Sequence, residues 1–458
     1  MLEKIDDYIW GPGMLFLLLG TGSYLMLRLR GLPIKKLGYA LLCSVGREEG
    51  HAGNRSAAHG GGKGVSSFAS LTTELAATIG TGNIVGVATA MVLGGPGALL
   101  WMMVSALIGM ATKLVESMLS VKYRTINSKG DYVGGPMYTM ARGIKCRTLG
   151  NTLGICFSAF AVLASIGMGN MTQANSIAEA FRASFNVPVE RTGLIVTILT
   201  ILVVLGGIGS ISKVTAVLVP FMGIFYMLAA FIVIFTHIEN VPAGISSIIV
   251  MAFCPRAVGG GICRGITVSM SGALRWGVAR GVFSNEAGLG AAGISAAAAQ
   301  TDDYVRQGLI SMTGVFLDTI VICSVTGLAI AASGLLGAVT EEGGLLTGIA
   351  LVTAVFEGTF GGMGKYFTAI SIALFAFATI AGWEYQGEKA FEFLIGNDRY
   401  AVGYRFVYAL SSFPGAVAGL EAVWTFSDIC NGLMAVPNLI CVLLLSGEAV
   451  REIRAYFD

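Results

Sequence analysis

Long apolar runs separated by short polar stretches dominate this chain of 458 residues. About 20 apolar residues cross the ~30 Å hydrocarbon core of a bilayer as a helix, and the alternation typical of membrane β-barrels is absent. The pattern therefore predicts an all-α membrane protein with many spans. Two shorter apolar stretches, near 241–253 and 345–356, predict interfacial or re-entrant helices. Eleven runs predict spans, at 12–27, 66–92, 95–121, 150–181, 192–211, 214–236, 266–299, 308–337, 364–391, 404–421 and 425–447.

The basic residues predict the orientation of these spans. If residues 28–65 face the cytoplasm, 20 of the 29 Lys and Arg residues lie on the cytoplasmic side and 6 on the outer side. This bias follows the positive-inside rule, and it predicts an outer N-terminus and a cytoplasmic C-terminus in the plasma membrane. The first apolar run precedes its basic residues, so we expect a retained helix there rather than a cleaved signal.

Composition narrows the possible chemistry. Charged residues make up only 12% of the chain, and the net charge of +2 offers no basic surface for nucleic acid. Three histidines at segment ends and eight cysteines without zinc spacing leave little material for a metal centre or a catalytic triad. We therefore predict no enzyme. Cys254 and Cys263 flank an outer loop, where two free thiols are favoured over a disulfide.

Without the first run, ten runs remain, and they divide into two sets of five. Because five is odd, the second set enters the membrane in the opposite orientation, as in the inverted repeats of secondary transporters. The predicted parts are an N-terminal helix with a cytoplasmic linker (1–65), a first repeat (66–236), an extracytoplasmic loop with an interfacial helix (237–264), a second repeat (265–447) and a cytoplasmic tail (448–458).

The first helix of each predicted repeat carries polar and glycine residues in mid-membrane, at 76–86 and at 281–290. Matching interruptions of this kind point to a transporter site. The N-terminus of a half-helix attracts a carboxylate, and released carbonyls with Thr or Ser hydroxyls bind a hard cation such as sodium. The alternative is that these glycines are packing contacts of intact helices.

Several long motifs carry a family resemblance. They are AATIGTGNIVGVATA (76–90), LGGPGALLWM (93–102), GGPMYTM (134–140), GMGNMTQANS (167–176), SKVTAVLVPFM (212–222), WGVARGVFSNEAGLG (276–290), SMTGVFLDTIVICSVTG (311–327) and the stretch 383–389. With them the chain resembles the alanine or glycine:cation symporter family from about residue 10 to residue 450. The resemblance implies the leucine-transporter (LeuT) fold, a 5+5 inverted repeat, preceded here by one extra N-terminal helix. It also implies uptake of alanine or glycine driven by Na+, and we expect a functional monomer in the lipid bilayer.

The resemblance also implies a site. The carbonyls of Ala76 and Ile79 and the hydroxyl of Thr379 are expected to face sodium, although Thr379 could instead bond its own helix. Phe283 and Trp383 could wall a pocket for a methyl side chain or serve packing alone. The expected substrate-binding residues are Thr78, Gly80, Thr81, Gly82, Asn83, Ile166, Asn170, Phe283, Ser284, Asn285, Thr379 and Trp383.

Charged residues inside spans are costly and need partners. Asp318 is expected to pair with a basic or hydroxyl group such as Arg275 or Arg280, and an ion-ligand role is the rival interpretation. Lys113 and Glu116, three residues apart, are expected to neutralise each other. Further charges in spans are Glu286, which could serve a gate, and Glu74 and Glu384, which depart from the family pattern and bear on the gate and the coupling ion.

A sodium-coupled symporter working by alternating access is thus the predicted function. A proton-coupled amino-acid transporter is one alternative. A second is a receptor or channel-like pore, in which two broken helices would hold a ligand without carrying it across.

Overall fold

The computed structural model describes residues 2–46, 63–254, 257–258, 267–340 and 343–458. Short antiparallel pairs join β1 (Thr125–Ile126) to β2 (Tyr132–Val133) and β3 (Ala257–Val258) to β4 (Thr267–Val268). The rest is mainly helical, in the order α1 (Leu2–Ile9), α2 (Pro12–Arg28), α3 (Leu32–Lys35), α4 (Leu37–Ser44), α5 (Ser67–Thr78), α6 (Val85–Leu93), α7 (Gly97–Lys122), α8 (Pro136–Gly143), α9 (Arg147–Ile166), α10 (Thr172–Phe185), α11 (Val189–Val204), α12 (Gly207–Thr236), α13 (Val241–Phe253), α14 (Met270–Asn285), α15 (Ala291–Ala297), α16 (Tyr304–Val315), α17 (Ser324–Ser333), α18 (Gly348–Phe360), α19 (Met363–Ile395), α20 (Ala401–Leu410), α21 (Ser412–Val417) and α22 (Leu420–Ala455).

Six helical segments in the described ranges are long and apolar enough to cross a membrane. They are Gly97–Lys122, Arg147–Phe185, Gly207–Thr236, Tyr304–Ser333, Met363–Ile395 and Val423–Ala455. The other five predicted spans coincide with shorter or interrupted helices, namely α2, α5 with α6, α11, α14 with α15, and α20 with α21. For these five, membrane crossing stays a prediction. The two short apolar stretches form α13 and α18, of 13 residues each.

The predicted boundary between spans 192–211 and 214–236 is wrong. Helix α11 already ends at Val204, and α12 begins at Gly207. Gly207 has a φ of 61°, a conformation that glycine adopts without steric cost, so the chain turns there. Ser212 and Lys213, the two residues between the predicted spans, accordingly lie within α12.

Two helices break at matching positions, as predicted. Helix α5 ends at Thr78, a 3-10 turn covers Thr81–Asn83, and α6 follows. Helix α14 gives way to α15 through residues 286–290, where Glu286 has a φ of 58°. The helix before each break has a stabilised N-terminus. The side chains of Ser66 and Ser269 accept hydrogen bonds from the first turns of α5 and α14.

Two more helical segments contain π-helical turns, in which the N–H of residue i+5 bonds the carbonyl of residue i. One covers Gly167–Met171 between α9 and α10, and the other covers Phe316–Cys323 between α16 and α17. Turns of this kind are frequent at functional sites.

Helix α7 packs against α14, which precedes the second break, and against α16, which precedes the second π turn. Glycines allow the close approach: a Cβ on Gly308 would lie 2.7 Å from the carbonyl oxygen of Leu114, and one on Gly281 would lie 2.8 Å from Ser105 Oγ. In lipid, burying apolar surface contributes little to helix association, so helices associate through close backbone contacts that small residues permit.

Candidate functional site

Asn83 holds the first break open. The Gly80 N–H donates to Asn83 Oδ1 (2.9 Å), and the Asn83 N–H donates to the Gly80 carbonyl (3.2 Å). In a continuous α-helix these N–H groups would bond the carbonyls of Ala76 and Ile79. Both carbonyls, the two predicted to face sodium, are therefore released from helical pairing.

Asp318 joins the two breaks. Its Oδ1 accepts a hydrogen bond from Asn83 Nδ2 (2.7 Å), and its Oδ2 accepts from Ser284 Oγ (2.9 Å) and Thr319 Oγ1 (2.7 Å). Asn83 belongs to the first break, and Ser284 lies in the last turn of α14, before the second. Asp318 is fully buried, so this carboxylate gathers donors from both halves of the chain at one point.

The two breaks are also in van der Waals contact. A Cβ on Gly82 would lie 3.2 Å from Ser284 Cα and 3.4 Å from Phe283 Cδ1. Asn285 continues the polar line, since its Nδ2 donates to Thr319 Oγ1 (3.0 Å). Gly82, Phe283, Ser284 and Asn285, all predicted site residues, are thus brought together with Asp318.

Thr379 meets the first break from α19. A Cβ on Gly80 would collide with Thr379 Oγ1, so only glycine permits this approach. The hydroxyl donates to Phe375 O in its own helix (3.2 Å), which was the alternative interpretation, but the oxygen keeps lone pairs with which to accept. Thr78 is turned inward to its helix, because its hydroxyl bonds the carbonyls of Glu74 and Leu75 (both 3.3 Å).

Gln173 holds Thr81, and the sequence interpretation did not single it out. Its Oε1 accepts from the Thr81 N–H (3.4 Å) and hydroxyl (3.0 Å), while its Nε2 donates to Met168 O in the first π turn (3.0 Å). A polar side chain in mid-span needs a partner. Gln173 carries that signal in the sequence, as Asn170 does.

The remaining predicted residues separate into two groups. Trp383 is fully buried and packs on the first π turn, where a Cβ on Gly169 would lie 2.6 Å from Trp383 Cγ. Asn170 faces away from the breaks: its Nδ2 donates to Tyr408 O, and its Oδ1 accepts from Ser412 Oγ (2.6 Å). Ile166, at the end of α9, packs in an apolar cluster beside α20 and α21.

Lys113 supplies positive charge beside the second break. Its Nζ donates to the Asn285 carbonyl (3.0 Å) and lies 3.4 Å from Glu74 Oε1. The expected pair with Glu116 is wrong, because Glu116 Oε2 instead accepts from Asn438 Nδ2 (2.9 Å) across the helix interface. Lys113 and Glu116 thus each have a partner on another helix, Glu74 and Asn438.

Glu286 stands within the second break with both carboxylate oxygens lacking a hydrogen-bond partner in the described ranges. Its gate role stays a prediction. The prediction that Cys254 and Cys263 are free thiols stays a prediction, because Cys263 lies outside the residues that the structure describes.

The expectation that Asp318 pairs with Arg275 or Arg280 is wrong, because both arginines have nearer carboxylates. Arg275 bonds Asp7 (2.5 Å), and Arg280 bonds Asp428 (2.6 Å). The hydroxyl part of that expectation is confirmed by Ser284 and Thr319.

An ion pair and two aromatic rings cover one end of the site; we call Arg280, Phe283, Trp424 and Asp428 the lid cluster. Phe283 stacks on Trp424 with ring centroids 5.2 Å apart, and the Arg280 guanidinium lies 5.3 Å from the Phe283 ring. Trp10 Nε1 donates to the Asp428 carbonyl (2.9 Å), so the N-terminal segment packs against this cluster.

Two interrupted helices, joined around a buried carboxylate, define the class: a multi-pass membrane transporter of the LeuT fold. The sodium:alanine symporter family model matches residues 1–458. The sodium/alanine symporter AgcS of Methanococcus maripaludis is 45% identical over 100% of this chain and 96% of its own. The probable sodium/glutamine symporter GlnT of Bacillus subtilis is 35% identical over 98% and 89%. The chain therefore belongs to the sodium:alanine symporter family and is a sodium-coupled amino-acid symporter, not an enzyme.

Solved structures support the fold class. MhsT in complex with L-phenylalanine superposes with a TM-score of 0.62 over 84% of this chain and 90% of its own, at 14% identity. The manganese transporter of Eremococcus coleocola gives 0.52 over 82% and 76%, at 15% identity. At such low identities the likeness concerns the arrangement of helices alone.

Proposed function

We propose that this protein imports alanine or glycine together with Na+ across the plasma membrane, by alternating access at the two broken helices. One observation carries the proposal: Asn83 and Ser284, from opposite halves of the chain, converge on the buried carboxylate of Asp318. A ligand bound there touches both halves at once, so its binding can decide how the halves sit against each other.

Sodium fits this place chemically. Hard cations prefer carboxylate, carbonyl and hydroxyl oxygens, and a buried carboxylate without a cation is unfavourable. In the described ranges no cationic side chain lies within 4.0 Å of Asp318. Asp318 and Ser284 would hold one sodium ion. The released carbonyls of Ala76 and Ile79, with the Thr379 hydroxyl, would hold a second.

The amino acid would lie between the breaks. Its carboxylate would meet the free N–H groups and the positive dipole end where the 3-10 turn leads into α6, and its amine would lie beside Ser284 and Asn285. A small amino acid is proposed because Gly82 already approaches Phe283 and Ser284 closely. The relative AgcS carries alanine in its name, in accord with this proposal.

Alternating access would use the lid cluster as the outer gate, with the predicted orientation of the termini. Opening separates Arg280 from Asp428 and unstacks Phe283 from Trp424. Sodium entry down a potential of 100 mV supplies ~2.3 kcal/mol per charge, besides its concentration gradient. The outer gate would close over an empty site or over a site that holds both substrate and sodium, so that sodium does not cross alone.

Uptake of radiolabelled alanine into proteoliposomes tests the coupling. With the membrane voltage clamped to zero, we expect accumulation with an inward sodium gradient and none with equal sodium on both sides. Equal uptake in both conditions would contradict sodium coupling. Binding without counterflow exchange in a folded preparation would instead favour the receptor.

A further inference from the structure

A second cluster of charged side chains lies towards the predicted cytoplasmic end of α19 and begins at the residue that follows Trp383. It holds three carboxylates and two cations. Lys389 Nζ lies 3.0 Å from Glu388 Oε1 and 2.8 Å from Glu392 Oε1. Arg405, on α20, bonds Glu388 Oε2 through its Nε and lies 3.8 Å from Glu384 Oε1. Glu388 and Glu392 thus engage both cations, and Glu384 is the carboxylate in excess.

Glu384 has no donor of its own. Its side chain is 1% exposed, and both oxygens lack a hydrogen-bond partner in the described ranges. Two tyrosines of α20 are near enough to interact with it electrostatically, but their hydroxyl protons are used elsewhere. Tyr404 donates to Ser165 Oγ (2.7 Å), since that hydroxyl itself donates to Val162 O, and Tyr408 donates to backbone carbonyls.

An ionised Glu384 would be buried with only the Arg405 guanidinium 3.8 Å away, and Glu388 already engages that guanidinium. A buried carboxylate with so little compensation takes up a proton rather than stay charged. We propose that Glu384 is a proton-binding site of the transporter. It takes up a proton from the outer water while the outer side is open, through the substrate site that the adjacent Trp383 would wall. It carries that proton while both sides are closed and releases it to the cytoplasmic water when that side opens. One proton would therefore enter with each amino acid, in addition to sodium. The inference rests on the proposed symport and orientation.

The neighbouring groups explain how release would act on the fold. With a proton, the Glu384 carboxyl can donate to Glu388, which lies within hydrogen-bond reach, and Arg405 is left to bond the Leu205 carbonyl (3.0 Å) between α11 and α12. Gly207 packs under the same guanidinium, where a Cβ would lie 2.9 Å from Nη2. Without the proton, Glu384 competes for Arg405 and draws it from this turn. Proton release and loosening of the α11–α12 turn would thus occur together.

The test uses the full chain in liposomes with a trapped pH-sensitive dye, an inward sodium gradient and a clamped voltage. We expect alanine uptake to acidify the lumen. E384Q, which is nearly isosteric and permanently neutral, should keep sodium-dependent uptake and lose the acidification. Glu190→Gln, at an exposed carboxylate of α11, is the matched control and should acidify like the wild type.

Sodium-dependent uptake without acidification in the wild type, or equal acidification in E384Q, would overturn the proton site and leave the symport proposal intact. Alanine uptake that does not depend on the sodium gradient would instead contradict the symport proposal. A second measurement needs no variant: dicyclohexylcarbodiimide reacts with protonated carboxyls in apolar surroundings, and mass spectrometry should find its adduct on Glu384. A folded protein without that adduct would overturn the proposal even if E384Q failed to fold.

Discussion

Asp318→Asn is the sharpest test of the sodium site because it removes the charge and keeps the shape. At an effective dielectric constant of about 20, a carboxylate ~2.4 Å from a unit positive charge contributes ~7 kcal/mol. Three side chains already donate to Asp318, at 2.7, 2.9 and 2.7 Å. If all three turn aside for sodium, each forfeits ~1 kcal/mol relative to a neutral hydrogen bond. The net loss for the variant is then ~4 kcal/mol, or about a thousandfold in sodium affinity.

The assay is a sodium titration of alanine-induced thermal stabilisation in detergent. The wild type and the D318N variant are compared with Asp7→Asn, whose carboxylate lies near the surface in its pair with Arg275. We expect the half-saturating sodium concentration of D318N to move beyond the accessible range and that of D7N to stay. A D318N value within about threefold of the wild type would refute the placement of sodium at this carboxylate.

Three further predictions concern the breaks and the lid cluster. Gly80→Ala should abolish uptake because its Cβ collides with the α19 hydroxyl, whereas Gly86→Ala, whose Cβ meets nothing closer than 4.0 Å, should transport normally; uptake by both variants would contradict the close contact. Asn83→Ala should remove the alanine-induced thermal shift, and an unchanged shift would exclude Asn83 from the site. Asp428→Asn should lower the free energy of unfolding by ~3–5 kcal/mol, because Arg280 would be left buried and unpaired; an unchanged melting temperature would contradict that pairing.

The broken helices could be predicted because the signal is local. Glycine and asparagine in mid-span disfavour a continuous helix wherever they occur, and both breaks formed in the predicted segments. The turn at Gly207 could not be found in the same way, since apolar residues continue on both sides of it and hydropathy does not register a backbone reversal. The predicted boundary fell instead at Ser212 and Lys213, which in fact lie inside α12.

The partners of the site residues could not be predicted from the sequence, because they depend on how each helix is rotated about its axis. Asp318 lies in a π turn, where the residues shift around the helix relative to an α pattern. Its nearest groups are therefore those of Asn83 and Ser284, not the arginines that simple charge matching suggests. The same limit explains why Lys113 was assigned to a neighbour on its own helix instead of Glu74.

The wide turns at Gly167–Met171 and Phe316–Cys323 each amount to one residue threaded into an otherwise regular coil. Taking that residue out would restore the ordinary pitch, and the helix beyond it would keep its facing, because the wide turn absorbs the extra residue locally. Side chains inside the turn would not keep their places: Asp318 would move around the axis, away from Asn83 and Ser284. The harm of such a deletion is thus confined to the few residues on which the two halves meet.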